Sequence, residues 1–322
     1  MPTRREFMQV MGMLSLATLT PTRLLFAQAR QGGLAVKTLR DDAWFIEGGG
    51  GNCLLLKTPD GPVLCDSKVA TAAIDLRDET FKLAERLPKL LVNTHHHYDH
   101  IGGNFLLAEQ ASVLAHRNLK PRIAPTLEGS ILPALRRQAA ELKQAGRADE
   151  SAALGMRIGK LSVEDFAATE EIDEAHEQVF GGVKLRLFHY GPAHTDNDIV
   201  MFLPELNMLH MGDLIFHELH PYIDRAAGAT TGGWQAALAE AMKLCDDETI
   251  VIPGHGELTD RSGLKGQDGY FVELRRFVNE QIKAGKGREE IVQMQVPAFE
   301  GRGFDRVQPV ALGVMYDELT AG

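Results

Sequence analysis

Between Asn93 and His100 the chain reads Asn-Thr-His-His-His-Tyr-Asp-His, a spacing of His95, His97, Asp99 and His100 that few folds can accommodate. Neutral imidazole and carboxylate are the usual ligands of zinc and similar divalent ions. The apolar run Leu90, Leu91, Val92 precedes the cluster and Gly102-Gly103 follows it, so a short buried strand delivers a loop built to hold metal. Histidine-rich patches also arise incidentally on surfaces. Three downstream residues in matching contexts weigh against that: His194 in Gly-Pro-Ala-His-Thr, Asp213 in Met-Gly-Asp and His255 in Pro-Gly-His-Gly.

Periodicity supplies the framework. Strands are expected at Leu34–Leu39, Ala43–Ile46, Asn52–Leu56 and, after the turn Pro59-Asp60-Gly61, Pro62–Cys65. A helix follows from about Ala70 to Leu87, then a strand at Leu90–Asn93, a short helix through Leu106 and Leu107, and a strand at Ser112–Ala115. From about 121 to 170 the composition turns to alanine, glutamate, arginine and lysine, with Leu132, Leu135, Leu142, Leu154, Ile158 and Leu161 at helical spacing. This reads as a helical insertion. It either overlies the site or forms a solvent-facing hairpin remote from it. Strands resume at Val179–Phe180, Val183–His189, Ile199–Phe202 and Met208–Met211, followed by a helix at Gly233–Leu244 and a strand at Ile250–Ile252. The tail carries helices at about Gln267–Ala284, Arg288–Met294 and Val307–Leu319. The glycine run Gly48–Gly51 reads as a flexible connection; no helix with lysine and serine or threonine follows to make it a phosphate cradle.

Together the seven residues resemble the metallo-β-lactamase fold family over roughly Ala43 to Thr259. The resemblance implies an α/β fold: a four-layer αβ/βα sandwich over residues 30–259, with the 121–170 insertion and a helical C-terminal extension over 260–322. It implies two divalent metal ions, zinc first among them. His95, His97 and His194 would hold one, Asp99, His100 and His255 the other, with Asp213 bridging. A hydroxide poised between two such ions exists at neutral pH, because the metals lower the pKa of water to about 7. Asp99 would orient it and carry its proton, the one catalytic role assigned beyond ligation. The best-known zinc β-lactamases of this fold carry cysteine near the position of Asp213. Aspartate there is typical of glyoxalase II-like thioesterases, lactonases and many exported hydrolases. Asp66 matches the family's aspartate after the hairpin, whereas Lys68 stands where glycine is common. Thr94 and Thr195 either orient ligands or simply end strands.

Residues 1–29 read as a twin-arginine signal peptide: Thr3-Arg4-Arg5-Glu6-Phe7-Met8, a short apolar stretch from Val10 to Thr20, and Ala27-Gln28-Ala29 as cleavage site. Export to the periplasm is the expected destination. No run approaches the ~20 apolar residues of a membrane span. The formal net charge is −10. So acidic a chain disfavours nucleic acid as a partner and points to a small-molecule substrate, with oligomeric state open. Cys53, Cys65 and Cys245 form no C-x-x-C pair; a symmetric hairpin places Cys65 near Leu56, so all three read as buried small hydrophobes. His96 and Tyr98 occupy variable positions of the motif. His210, His217, His220 and Tyr222 read as loop surface, and His116, His176 and His189 as structural.

The leading expectation is an exported dinuclear-metal hydrolase of an ester, lactone, thioester or amide. Alternatives are a β-lactamase, a mononuclear-iron dioxygenase-like enzyme and a non-enzymatic periplasmic metal-binding accessory protein.

Overall fold

The computed structural model describes residues 33–321, so the expected signal peptide lies outside the described residues. Among the described residues, twelve strands form two sheets. The first runs in chain order: β1 (Ala35–Arg40), β2 (Ala43–Glu47), β3 (Cys53–Leu56), β4 (Val63–Cys65), β5 (Leu90–Val92), β6 (Ser112–His116) and β7 (Glu170–Ile172). Hairpins make β1 to β4 antiparallel, while crossovers make β4 to β7 parallel. The second sheet comprises β8 (Ala175–Phe180), β9 (Val183–Phe188), β10 (Val200–Leu203), β11 (Met208–Phe216) and β12 (Ile250–His255), with only β11 and β12 parallel.

Central strands are apolar on both faces because each face meets another layer. Successive side chains alternate: Ala43 and Phe45 of β2 and Leu54 and Leu56 of β3 face the second sheet, where Leu187, Met201 and Ile252 meet them. Trp44, Ile46, Cys53 and Leu55 point the other way, onto Leu76 and Ala84 of helix α1 (Ala73–Ala84). Two short helices, α2 (Tyr98–Ile101) and α3 (Asn104–Leu107), follow β5. The insertion contains α4 (Leu119–Thr126), a wide turn at Leu127–Ile131, α5 (Leu132–Gln144) and α6 (Ala148–Ile158). It packs through Leu119, Ile123, Ile131 and Leu135 onto Ile101 and Phe105. Behind the second sheet, Trp234 of α7 (Thr231–Met242), Phe271 and Leu274 of α8 (Arg261–Lys283) and, beyond α9 (Arg288–Ile291), Leu312 and Met315 of α10 (Gln308–Thr320) close the fourth layer. The fold is the four-layer αβ/βα sandwich.

Some boundaries differ from expectation for identifiable reasons. Helix α8 begins at Arg261, six residues early, with Asp260 accepting from the Ser262 N–H. Gly263, Gly266 and Gly269 hide that start; each glycine costs a helix about 1 kcal/mol, offset here by burial of Leu264 and its neighbours. Strand β11 continues to Phe216 because Gly212, at φ 50°, takes up a register shift that keeps Asp213 in line with β12. Strand β7 was masked by two adjacent glutamates. The hairpin places Cys65 opposite Leu54, not Leu56; Cys53 and Cys65 are free and buried, while Cys245 is only partly buried. Among the described residues, no helix is long and apolar enough to cross a membrane.

Candidate metal centre

The strands end where the functional side chains begin. β5 releases the chain into His95, His96 and His97, and α2 then turns Asp99 and His100 back towards them. The β9–β10 loop supplies His194, β11 supplies Asp213 and the end of β12 supplies His255. Asn52 stitches the two halves together. Its side-chain amide donates to the carbonyls of Pro253 (3.0 Å) and Gly256 (2.8 Å), and its N–H donates to the Gly254 carbonyl at 2.7 Å.

All seven residues singled out from sequence meet at this edge in two adjoining groups. His97 Nδ1 lies 3.0 Å from both His95 Nε2 and His194 Nε2. Asp213 Oδ2 lies 3.7 Å from His95 Nε2 and 3.5 Å from His194 Nε2. In the second group, His255 Nε2 lies 3.2 Å from Asp99 Oδ2, and His100 Nε2 lies 4.0 Å from the same oxygen. Asp213 faces this group too, with Oδ1 3.1 Å from His100 Nε2 and Oδ2 3.5 Å from His255 Nε2. Its carboxylate therefore stands between the two groups.

The outer ring nitrogens explain the orientation of four of these imidazoles. His95 Nδ1 faces Thr94 Oγ1 at 3.0 Å, His97 Nε2 faces Asp224 Oδ2 at 3.0 Å, His194 Nδ1 faces the Tyr222 carbonyl at 2.8 Å and His100 Nδ1 faces Asp66 Oδ2 at 2.7 Å. Each acceptor holds a proton on the outer nitrogen, which turns a lone pair inward. Inward lone pairs and carboxylate oxygens this close repel one another unless a cation lies among them. His100 Nε2 and Asp213 Oδ1 are both buried without a hydrogen-bond partner. That donor set fits divalent metal: His95, His97, His194 and Asp213 form one set and Asp99, His100 and His255 another.

Electrostatics separate the groups. Burial, reinforced by His97, pushes His194 down to about 3, and burial with His100 nearby pushes His95 well below the ordinary imidazole range. Burial acts the same way on His255, but Asp213 and Asp99 outweigh it and push the ring up to about 9. Asp213, Asp66 and Asp99 likewise overcome the burial of His100 and raise it well above its ordinary value. Burial would raise Asp99, yet His100 and the bond from His255 hold its carboxyl well below the usual range. His95 and His194 thus present neutral nitrogens, whereas His100 and His255 favour positive charge.

Several supporting residues escaped the sequence or were misjudged there. Asp224, which fixes His97, carries no motif. Gly48–Gly51 is more than a flexible connection: a Cβ on Gly51 would lie 2.2 Å from the His100 ring, so glycine is required for this approach. Lys68 is fully buried at φ 67° and donates to the carbonyls of Ile46 and Gly51, both at 2.7 Å, pinning that loop. Thr94 does more than end a strand: Asp66 accepts from its N–H and Oγ1, both at 2.8 Å. Thr195 bonds instead to Asp198. His96 is buried beside Asn197, and His116 stacks on His189. His210 and His220 are buried, not loop surface. The first lies between the Gly212 N–H and the Asn52 carbonyl, the second against the Tyr270 hydroxyl.

A cavity of about 690 Å³ opens onto Asp99, Asp213 and His255. Arg122, Pro125, Thr126 and Ser130 wall one side, so the first part of the insertion borders the site while the α5–α6 hairpin lies away from it.

Known proteins resemble this chain in sequence and in fold. A metallo-beta-lactamase type 2 of Bacillus cereus is 26% identical over 214 residues, covering 65% of this chain and 68% of the relative. Among solved structures, a metallo-beta-lactamase from Pontibacter korlensis superposes with a TM-score of 0.53 at 18% identity, covering 74% of this chain and 98% of that one. The inverting sec-alkylsulfatase Pisa1 from Pseudomonas sp. gives 0.60 at 16% identity, covering 89% of this chain and 50% of its own. These two likenesses concern the fold. Residues 46–255, most of the chain, match the family described as Metallo-beta-lactamase superfamily, and the chain belongs to it.

Proposed function

We propose that this protein is an exported dinuclear-metal hydrolase that cleaves an ester, lactone, thioester or amide bond. Members of its superfamily are metal-dependent hydrolases. His95, His97 and His194 would hold one ion, Asp99, His100 and His255 the other, with Asp213 facing both. The observation that carries the reading is the sorting of nitrogens, with outer atoms bonded to oxygen acceptors and inner atoms aimed at one another. Bound there, zinc or a similar ion supplies a water-derived nucleophile at neutral pH and a Lewis acid for the electrophile's oxygen. The chain's own residues do the remainder. Asp99 borders the cavity, stays ionised beside His100 and His255, and so is able to orient water and accept its proton. Asp66, Thr94, Asp224 and the Tyr222 carbonyl hold the rings in place. Export rests on the twin-arginine pattern of residues 1–29 and places the enzyme in the periplasm.

Elemental analysis together with an ester, lactone, thioester, amide and β-lactam panel, run with and without chelator, tests this. Two zinc per chain and chelator-sensitive turnover are expected. One iron would favour the dioxygenase reading, and a filled site without turnover the accessory role. A β-lactam substrate is the second reading, favoured by the name of the Bacillus cereus relative.

A further inference from the structure

We propose that the cavity selects a neutral substrate whose bulky apolar group lies beside the bond that breaks, an inference that rests on the hydrolase reading above. At about 690 Å³ the cavity is far larger than a water and an acetyl group need, and lies within the ~300–1,000 Å³ range of small-molecule sites. Of the large hydrophobic side chains left exposed, three gather here: Tyr98 at 45%, Tyr222 at 38% and Phe304 at 46%. Grouped exposed aromatics beside a polar centre mark a surface that a ligand covers. Phe304 is held there against preference. Its φ of 64° is unusual for a bulky residue, and that backbone sets its ring 5.5 Å from His255 and 6.3 Å from Phe216. Pro125 and Val307 extend the apolar wall.

Charge argues the same way. Among the described lining residues the one guanidinium or ammonium is Arg122, and it is already engaged. Its Nη2 lies 2.7 Å from Asp196 Oδ2, and its Nη1 donates to the Ala226 carbonyl at 3.0 Å. Asp99, Asp213 and Asp224 bring three carboxylates to the same walls. A carboxylate or sulfate on the substrate would meet no unpaired organic cation there, and would compete for the positive charge needed at the electrophile's oxygen. Medium-chain or aryl esters and alkyl-substituted lactones fit. In their hydrolysis the water oxygen bonds to the carbonyl carbon, the acyl C–O bond breaks, the alkoxide (released from an ester, tethered in a lactone) takes one of the water's protons, and the other is lost from the new carboxylic acid to solvent.

The zinc-loaded full chain is assayed on p-nitrophenyl esters from acetate to octanoate, with the adipate half-ester as the anionic match for hexanoate. Burial of each methylene is worth about 0.8 kcal/mol, so kcat/KM rises up to about fourfold per added carbon until the cavity fills. Hexanoate exceeds the half-ester. Phe304→Ser lowers the hexanoate-to-acetate ratio, and Val307→Asp, a second variant at the same wall, does so if the first fails to fold. A flat chain-length profile, or preference for the half-ester, overturns the proposal while leaving the hydrolase reading intact. Absence of chelator-sensitive turnover on every ester, lactone, thioester, amide and β-lactam of the panel overturns the hydrolase reading, and this proposal with it.

Discussion

Asp224 Oδ2 sits 3.0 Å from His97 Nε2, on the side of the ring facing away from His95 and His194. His97 carries its proton towards that carboxylate, and Nδ1 is thereby left with a lone pair pointing into the centre. Asp224→Ala removes the acceptor and frees the ring to rotate or change tautomer. Affinity of the first cluster for zinc is expected to fall roughly 10–100-fold, as for comparable partners of metal-bound histidines. Competition against a chromophoric chelator measures it; an unchanged affinity would show that packing alone orients His97.

Asp213 faces both clusters, and Asp213→Ala is expected to lower bound metal per chain and to abolish most turnover. Elemental analysis reads the first effect. Thermal unfolding reads a related one, because an ion that binds only the folded state stabilises it by about 4 kcal/mol at a thousandfold excess over Kd. Chelator should therefore lower the Tm of the parent markedly and that of Asp213→Ala much less. Equal chelator shifts in both proteins would remove Asp213 from the binding set.

Gly51 admits the His100 ring, which cannot retreat because Asp66 holds its far nitrogen at 2.7 Å. Gly51→Ala is expected to cost about 1–3 kcal/mol in denaturant unfolding, the usual penalty for overfilling a packed interior. Gly155→Ala provides the contrast. It lies within α6 with nothing within 4 Å of an added Cβ, and should stabilise by about 0.5–1 kcal/mol.

Burial pushes the Asp198 carboxyl up to about 7 in spite of its bonds from the Thr195 N–H and hydroxyl. In the unfolded chain it ionises near 3.8. Between those values the folded state holds the extra proton, so this residue's contribution to stability declines as pH rises from about 4 to 7 and is level above. Asp198→Asn lacks that slope. Its unfolding free energy relative to the parent is expected to rise across this window by an amount on the order of 4 kcal/mol. A difference between the two proteins that is independent of pH contradicts the assignment.

The layers were legible because short, continuous apolar runs such as Ala43–Glu47 and Cys53–Leu56 announce strands covered on both faces. The seven central residues were legible because ligand chemistry compresses them into recognisable local contexts. What surrounds them was not. Asp224 is an ordinary acid in an ordinary loop, and its partnership with His97 spans a sequence separation of 127 that no local pattern encodes. Lys68 ran against expectation for a buried position, since the two carbonyls that receive its ammonium are visible only once the loop is folded. Helix α8 begins ahead of its sequence pattern because its glycines obscure a start fixed by tertiary packing.

The seam at Asn52 has a bearing on synthesis. Its acceptors lie 201 and 204 residues further along, so the edge carrying these ligands is complete only when almost the whole core has left the ribosome. Contacts that close so long a loop form late. A nascent polypeptide halted before Asp213 lacks two of the seven residues of that edge, Asp213 and His255, so a complete cradle for a cation would also report that the two sheets have come together.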